Sequence, residues 1–362
     1  MTIHFFKISF RNHLIIVVKK LKSAIVRSIF CCGIPLTRKF HITYFADSKD
    51  VQDSIGAQIH RIIALISIAK ALRISYVHTA IQDFTSSPTD SAQTAFERKI
   101  YCNEVDTLFD NSPKIGTADS ITYKSIEVDK FRIGILFKLI LLEAFNDRKV
   151  LIKIKLPFPL IDENPDWYKY FVPYYPQSFL KKYTNNKKAP VLAVHFRFGA
   201  NFASNNALSI ASTQKRVLPV NYYLKTVREI IAKDFPNSNG NLVIKIFTDS
   251  PKVALTYFPP KEQLHLYRES GFDLIQESIH IIPFNFEQHD FKSLPNLEVV
   301  HGGDLLEALY EMASADYFVM SRSSLSYCSA ILNKIGKVYY PPNYWHAPLP
   351  KWKRLYANSS LL

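Results

Sequence analysis

The sequence has few cysteines, and their spacing argues against a disulfide framework or a zinc site. The chain of 362 residues contains four cysteines, namely Cys31, Cys32, Cys102 and Cys328. Two are adjacent and the others lie far away in the sequence. This spacing matches neither a small disulfide-linked domain nor paired zinc ligands. We therefore expect reduced thiols and a cytoplasmic protein.

A long uncharged apolar run is also missing. The best candidate, residues 13–18, stops at Lys19 and Lys20, so no membrane-spanning anchor is expected. The start of the chain lacks the apolar core of a signal peptide. Residues 12–30 mix apolar and basic side chains. This mixture predicts either an amphipathic helix in peripheral contact with a membrane or an ordinary helix packed on the first domain.

Several motifs of metal and nucleophile chemistry are missing as well. The sequence has no Asp-x-Asp pair, Walker loop, zinc motif or nucleophile elbow. Many nucleotide-sugar enzymes hold a divalent metal on the diphosphate with an Asp-x-Asp pair. Its absence predicts that no metal is used, and that arginine and helix dipoles neutralise any bound phosphate.

Acidic residues are outnumbered by basic ones. Lys and Arg total 45 against 31 Asp and Glu, which gives a net charge of +14. A basic protein attracts nucleic acid, anionic lipid or phosphorylated small molecules. Here the basic residues are dispersed and are not interleaved with aromatic residues, so we expect no nucleic-acid partner.

Strand-like and helix-like segments alternate through both halves of the chain. Predicted strands cover residues 39–45, 74–78, 150–156, 191–198, 241–248, 316–320 and 337–340, and predicted helices begin near residues 54, 131, 222, 304 and 323. Residues 82–125 are polar and are predicted to form loops. The alternation predicts an α/β protein with two Rossmann-like, doubly wound domains. We expect an N-terminal extension at 1–38, α/β domains at 39–186 and 187–345, and a tail at 346–362.

A histidine and an arginine occupy the carboxyl end of a predicted strand that is otherwise apolar. His195 and Arg197 share one face, and Val194 and Phe196 share the other. Strands covered on both faces are usually apolar throughout, so a cation is costly there unless an anion meets it. Ligands of open α/β sheets bind at these strand ends, and arginine matches phosphate with two parallel donors. The pattern favours phosphate binding, with Gly199 allowing close backbone approach; a structural ion pair is the alternative.

Three further segments place polar residues at predicted strand ends or helix starts. A serine-rich strand-to-helix stretch favours an anion through its hydroxyls and the helix dipole, although N-capping also explains it. A carboxylate at another strand end can hold a ribose or base edge, or cap the next segment. A glycine at the first helix start is the third signal. The serine-rich stretch contains Ser323, Ser324 and Ser326. The carboxylate at the strand end is Asp249, followed by Ser250, and the first helix start contains Gly56 and Gln58.

Together these segments resemble the fucosyltransferase superfamily, which includes bacterial α-1,2-fucosyltransferases, nodulation-type α-1,6 enzymes and protein O-fucosyltransferases. The superfamily pattern is a Gly-x-Gln helix start, a His-x-Arg-x-Gly strand end, an Asp-containing strand end and a Ser/Thr-rich helix start. In this chain these are Gly56–Gln58, His195–Gly199, Phe247–Ser250 and Ser321–Ser326. The resemblance implies a GT-B-like fold whose two domains face a cleft, with the acceptor on the N-terminal domain and the donor on the C-terminal domain.

The resemblance also implies an activity. It implies metal-independent, inverting transfer of fucose from GDP-fucose to a glycan or glycoprotein hydroxyl, without a cofactor. Arg197 would be catalytic, binding the β-phosphate and stabilising the departing diphosphate, and His195 would support the donor near its base or ribose. The rest of the implied donor site is Gly199, Asp249, Ser250, Ser323, Ser324, Ser326, Gly56 and Gln58.

Three positions depart from the superfamily pattern. Phe198 stands where many members have a second arginine, Ala200 where they have an acid, and Ala57 where they often have asparagine. These departures leave open another nucleotide-sugar donor on the same fold and an inactive relative. The net positive charge leaves a third alternative, a basic protein that binds nucleic acid or membrane. The sequence does not identify a catalytic base; Asp53 and Glu104 are candidates, although solvated loop carboxylates are more common.

Overall fold

The computed structural model describes residues 39–45, 54–84, 94–109, 123–143, 148–172, 189–197, 217–236, 241–258, 261, 278–281 and 283–354. The chain divides into two units. The first comprises Met1–Ala46, Arg61–Thr79 and Asn111–Val172, and the second comprises Asp47–His60, Ala80–Asp110 and Pro173–Leu362.

The described residues form strands and helices in alternation. The strands are β1 (Phe40–Tyr44), β2 (Ser75–Tyr76), β3 (Tyr123–Lys130), β4 (Lys149–Leu156), β5 (Val191–Phe196), β6 (Val243–Thr248), β7 (Leu255–Tyr257), β8 (Ile279–Ile281), β9 (Leu297–His301), β10 (Tyr317–Val319), β11 (Lys337–Tyr340) and β12 (Lys353–Arg354). The α-helices are α1 (Ile55–Leu72), α2 (Ala95–Asp106), α3 (Ile133–Glu143), α4 (Phe158–Ile161), α5 (Val220–Asp234), α6 (Leu305–Ser314) and α7 (Ser324–Leu332). Short 3₁₀ helices cover Thr107–Phe109, Pro165–Tyr170 and Asp290–Ser293.

The first unit is built on a four-stranded parallel sheet in the order β2-β1-β4-β3. Apolar side chains of the central strands β1 and β4, among them Ile42 and Ile152, form a buried core. Among the described residues α1 is the one helix long and apolar enough to cross a membrane, and 78% of it is buried. Such burial is typical of a core helix, which is apolar around most of its circumference.

The second unit contains a six-stranded parallel sheet in the order β12-β11-β10-β5-β6-β9. Helix α5 joins β5 to β6, α6 joins β9 to β10, and α7 joins β10 to β11. One face of β5 packs in a core with α5, to which Val194, Phe196, Tyr223 and Val227 contribute. The strands β7 and β8 form a separate antiparallel pair.

The α/β class predicted from the sequence is confirmed, and most predicted strands and helices agree with the structure to within a few residues. The prediction of loops across 82–125 was wrong, because α2 lies within it. Thr94 and Glu97 form a capping box at the start of α2, in which each side chain satisfies the backbone N–H of the other residue. The boundary at 186 and 187 and the extension at 1–38 lie outside the described residues. Residues 346–354 pack on the second unit, where β12 pairs with β11.

Candidate functional site

Three neighbouring strand ends bring polar residues to one edge of the six-stranded sheet. Arg197 follows β5, Asp249 follows β6, and the stretch 320–323 follows β10. Strands β10, β5 and β6 are adjacent and parallel, so their carboxyl ends lie at the same edge. Segments that are far apart in the sequence therefore meet at the edge where ligands of open α/β sheets bind.

This edge includes the point at which the strand order reverses. From β5 the chain proceeds outward through β6 to β9, then returns to the other side of β5 and proceeds through β10 to β12. The position between the ends of β5 and β10 is therefore a topological switch point, the place at which ligands of open α/β sheets bind. Arg197 and Ser321 lie on the two sides of it.

A hydrogen bond crosses the switch point. The Nδ1 atom of His195 and the Oγ atom of Ser321 are 2.7 Å apart, and both side chains are buried. Burial and, to a smaller extent, the positive charge of Arg197 together lower the pKa of His195 to about 3. The imidazole is therefore neutral at physiological pH, and Arg197 is the cation on this strand end.

The turn between β10 and α7 is held by a hydrogen bond from the backbone to a side chain. The N–H of Ser321 donates to Oγ of Ser326 over 3.0 Å, and both residues are fully buried. Ser323 is the N-cap residue of α7 with extended backbone angles, and its hydroxyl makes no capping hydrogen bond. Ser326 is therefore part of the framework, whereas Ser323 and Ser324 lie at the helix start whose N–H groups favour an anion.

Arg322 lies in the same turn and was not among the site residues predicted from the sequence. Its side chain is buried, and its Nε donates to the carbonyl oxygen of Pro342 over 2.9 Å. Burial lowers the pKa of Arg322, while Tyr223, Tyr222 and Tyr340 oppose this effect. The signal that could have identified Arg322 is its position, directly after a buried strand and before a helix.

Tyr223 lies within electrostatic range of three charged residues of this edge. It is the fourth residue of α5 and is fully buried, and burial raises the pKa of its hydroxyl. Asp249 acts in the same direction, whereas Arg197 and Arg322 act against it. The neighbouring Tyr222 donates its hydroxyl to the carbonyl oxygen of Met320 over 3.1 Å, which fixes the end of β10 against α5.

Other predicted site residues have contacts within the fold. Ser250 is fully buried, and its Oγ accepts a hydrogen bond from the N–H of Phe284 over 2.7 Å. Gln58 is buried and donates from Nε2 to the carbonyl oxygen of Asp83 over 2.8 Å. Both side chains therefore have structural roles in the fold.

Gly56 lies against the first turn of α7. A Cβ atom added to it would lie 3.2 Å from both Cβ and N of Leu325, closer than an ordinary van der Waals contact. The carbonyl oxygen of Gly56 also accepts from Sγ of Cys328 over 3.7 Å. The glycine is thus explained by close packing of two helix starts. Gly199, Asp53, Phe198 and Ala200 lie outside the described residues, and Glu104 is exposed on α2.

Within the described part of the chain, no group of three or more His, Cys, Asp or Glu side chains could hold a metal ion. The charged groups at the strand ends are instead two arginines and one aspartate, a set that fits an anionic ligand with hydroxyl groups.

Comparisons with known proteins give structural matches of low similarity. No family model matches the sequence, and no curated protein matches it. The chain is similar to POFUT1 in complex with GDP-fucose, with 12% identity, a TM-score of 0.45 and coverage of 83% of this chain and 97% of that chain. It is similar to the E. coli heptosyltransferase WaaC with ADP, with 13% identity, a TM-score of 0.35 and coverage of 89% and 94%. It is also similar to a mutant of Arabidopsis thaliana FUT1 in complex with GDP, with 9% identity, a TM-score of 0.38 and coverage of 88% and 73%. Because these TM-scores are low, we base the proposed function on the residues of the site.

Proposed function

We propose that this chain is a fucosyltransferase-like, GT-B-type glycosyltransferase that transfers a sugar from a nucleoside diphosphate donor, GDP-fucose in the first instance, to a hydroxyl of a glycan or glycoprotein. The observation that carries the proposal is the position of Arg197 at the switch point of the six-stranded sheet, beside the hydrogen bond between His195 and Ser321. A half-buried guanidinium at such an edge is suited to a phosphate ligand.

The charge of the proposed donor requires cationic or N–H partners in the protein. A nucleoside diphosphate carries at least two negative charges, which must be neutralised where water is partly excluded. Arg197 follows β5, and the helix start at Ser323 and Ser324 offers backbone N–H groups across the switch point. Guanidinium donors and a helix start are two of the groups that bind phosphate in proteins.

We propose that His195 and Asp249 contact the nucleoside of the donor. His195 is neutral and fixed through Nδ1 by Ser321, so that its ring is held in one orientation. Asp249 follows the neighbouring strand and supplies a carboxylate that can accept hydrogen bonds from ribose hydroxyls or from a base edge. These two residues lie on adjacent strands, because β5 pairs with β6 in register up to Phe196 and Thr248.

The reaction we propose is a single displacement with inversion. The bond between the anomeric carbon and the β-phosphate oxygen breaks, and its electron pair remains on the departing diphosphate. The acceptor oxygen forms the new bond on the opposite face and loses its proton to a base. Arg197 stabilises the charge that develops on the diphosphate, and groups of this kind typically contribute about 10²–10³ in rate. The proposal includes no metal ion.

Turnover of the donor tests this activity without knowledge of the acceptor. Purified protein is incubated with GDP-fucose, UDP-glucose or ADP-heptose in EDTA, and the released nucleoside diphosphate is measured. Slow hydrolysis of one donor, reduced about 100-fold or more by Arg197→Met, is the expected result. If the nucleoside diphosphate is released from a donor other than GDP-fucose, the protein is still a glycosyltransferase and that nucleotide sugar is its donor. Hydrolysis and nucleotide binding both absent for every donor would exclude the enzyme.

A further inference from the structure

We infer that Arg322 binds the β-phosphate of the donor together with Arg197, so that the anion site contains two arginines. The inference rests on the proposed function and extends it to a residue that lies within the matched segment Ser321–Ser326 but was not among the predicted site residues. Because Phe198 stands where a second arginine is common, the sequence had predicted a site with Arg197 as its only guanidinium.

The register of β5 and β10 places the two arginines at equivalent positions. Val194 of β5 pairs with Val319 of β10 in the parallel sheet. Arg197 lies three residues beyond the first valine, and Arg322 lies three residues beyond the second. The two arginines therefore leave the switch point from equivalent positions on its two sides.

A hydrogen bond joins the chain segments that follow these two valines. His195 follows Val194 directly, and its Nδ1 is 2.7 Å from Oγ of Ser321, the residue before Arg322. Tyr223 experiences the charge of both arginines, so both guanidinium groups lie within electrostatic range of one hydroxyl. The chain after β5 and the chain after β10 are thus held close to each other where the arginines emerge.

The orientation of Arg322 is fixed by the loop after β11. Its Nε donates to the carbonyl oxygen of Pro342 over 2.9 Å, and its side chain is 6% exposed. Tyr222, Tyr223 and Tyr340 are the neighbours that favour its charge. A bond at Nε sets the plane of a guanidinium whose terminal nitrogens form a rigid fork, the arrangement that matches two phosphate oxygens.

Burial of the Arg322 guanidinium has an energetic cost that a bound diphosphate offsets. Its side chain is 6% exposed, and burial lowers its pKa. A poorly solvated cation is strongly stabilised by an anionic partner. The second arginine also explains how the site neutralises a doubly charged leaving group with a phenylalanine at position 198.

The test compares a nucleoside diphosphate with its monophosphate. Binding of GDP and GMP is measured by calorimetry, without metal, for the wild type, Arg322→Met and Arg322→Lys. The control is Arg228→Met, because Arg228 is an exposed arginine of α5 that pairs with Asp290. If Arg322 binds the β-phosphate, Arg322→Met weakens GDP about 10–100-fold but GMP only about 2-fold, with Arg322→Lys between them. The control leaves both affinities unchanged.

The outcomes are separable from failure of the proposed function. If Arg322 only fixes the loop through Pro342, the methionine variant loses thermal stability and its ratio of GDP to GMP affinity stays at the wild-type value, which overturns the inference. Unchanged GDP affinity overturns it as well. If Arg322→Met fails to fold, the lysine variant retains a charge and the same comparison decides. A wild type that binds no nucleoside diphosphate refutes the proposed function and this inference together.

Discussion

The Nδ1 atom of His195 and the Oγ atom of Ser321 are 2.7 Å apart, although 126 residues separate them in the sequence. This contact joins the strand end that carries Arg197 to the turn that carries Arg322 and Ser323. It exists because the strand order places β10 beside β5 and not beside β9, which precedes it in the chain. The two strongest sequence signals, the strand end His195–Gly199 and the stretch Ser321–Ser326, thus belong to one candidate site.

The low pKa of His195 predicts a dependence of stability on pH. The folded pKa, about 3, is below the unfolded value of 6.5, so below pH 6.5 the unfolded state binds more protons and stability falls as pH falls. Between pH 7 and pH 5 this group should cost about 2 kcal/mol of unfolding free energy. His195→Asn should remove that loss, since an amide can still bond Ser321 but does not titrate.

Urea denaturation at pH 7 and pH 5 measures this difference for the wild type and for His195→Asn. Other titrating groups contribute equally to both proteins and cancel in the comparison. Equal losses of stability in the two proteins would show that His195 titrates normally.

The serines at the start of α7 should separate into structural and ligand-binding residues. Ser326→Ala leaves the buried N–H of Ser321 without its acceptor, so a loss of about 1–3 kcal/mol in unfolding free energy is expected. Ser323→Ala removes a hydroxyl that makes no capping bond, so stability should change by less than about 0.5 kcal/mol. The same alanine at position 323 should weaken GDP binding several-fold. Similar stability losses in both variants would contradict this assignment.

Gly56→Ala should destabilise the protein through packing. The new methyl group would lie 3.2 Å from backbone N and Cβ of Leu325, and the backbone of α7 must shift to admit it. We expect a loss of about 1–3 kcal/mol, measured by thermal or urea unfolding. The matched control is Gly134→Ala in α3, where a Cβ meets nothing within 4 Å. There, alanine should stabilise by about 0.5–1 kcal/mol, because glycine is a poor helix former. Equal effects at the two positions would refute the packing explanation.

Much of the fold follows from patterns in the sequence, and α2 shows what pattern reading misses. The predicted strands were found because continuous apolar runs are typical of buried parallel strands. Residues 94–109 were predicted as loop because their overall polarity suggested one, yet Thr94 and Glu97 carry a helix-start signal. A capping signal at a helix start is therefore a better predictor of this helix than the average polarity of the segment.

The candidate site was predicted in outline, and its internal contacts were not. The sequence placed serines at the start of α7, but which hydroxyl faces inward depends on the rotation of the helix and the path of the turn. Ser321 bonds His195 and Ser326 bonds the backbone of Ser321, and neither contact can be deduced from spacing. Arg322 was missed for the same reason, because the direction of a side chain after a strand end depends on tertiary packing.

The most direct test of the central claim is calorimetry of GDP binding to the wild type and to Arg197→Met, in EDTA, with Arg228→Met as the control for loss of an arginine. The account predicts micromolar binding by the wild type and the control, weakened about 100-fold or more by Arg197→Met at unchanged thermal stability. Equal GDP affinity in all three proteins would contradict a phosphate site at Arg197. Wild-type protein that binds neither GDP nor any other nucleoside diphosphate would refute the glycosyltransferase proposal.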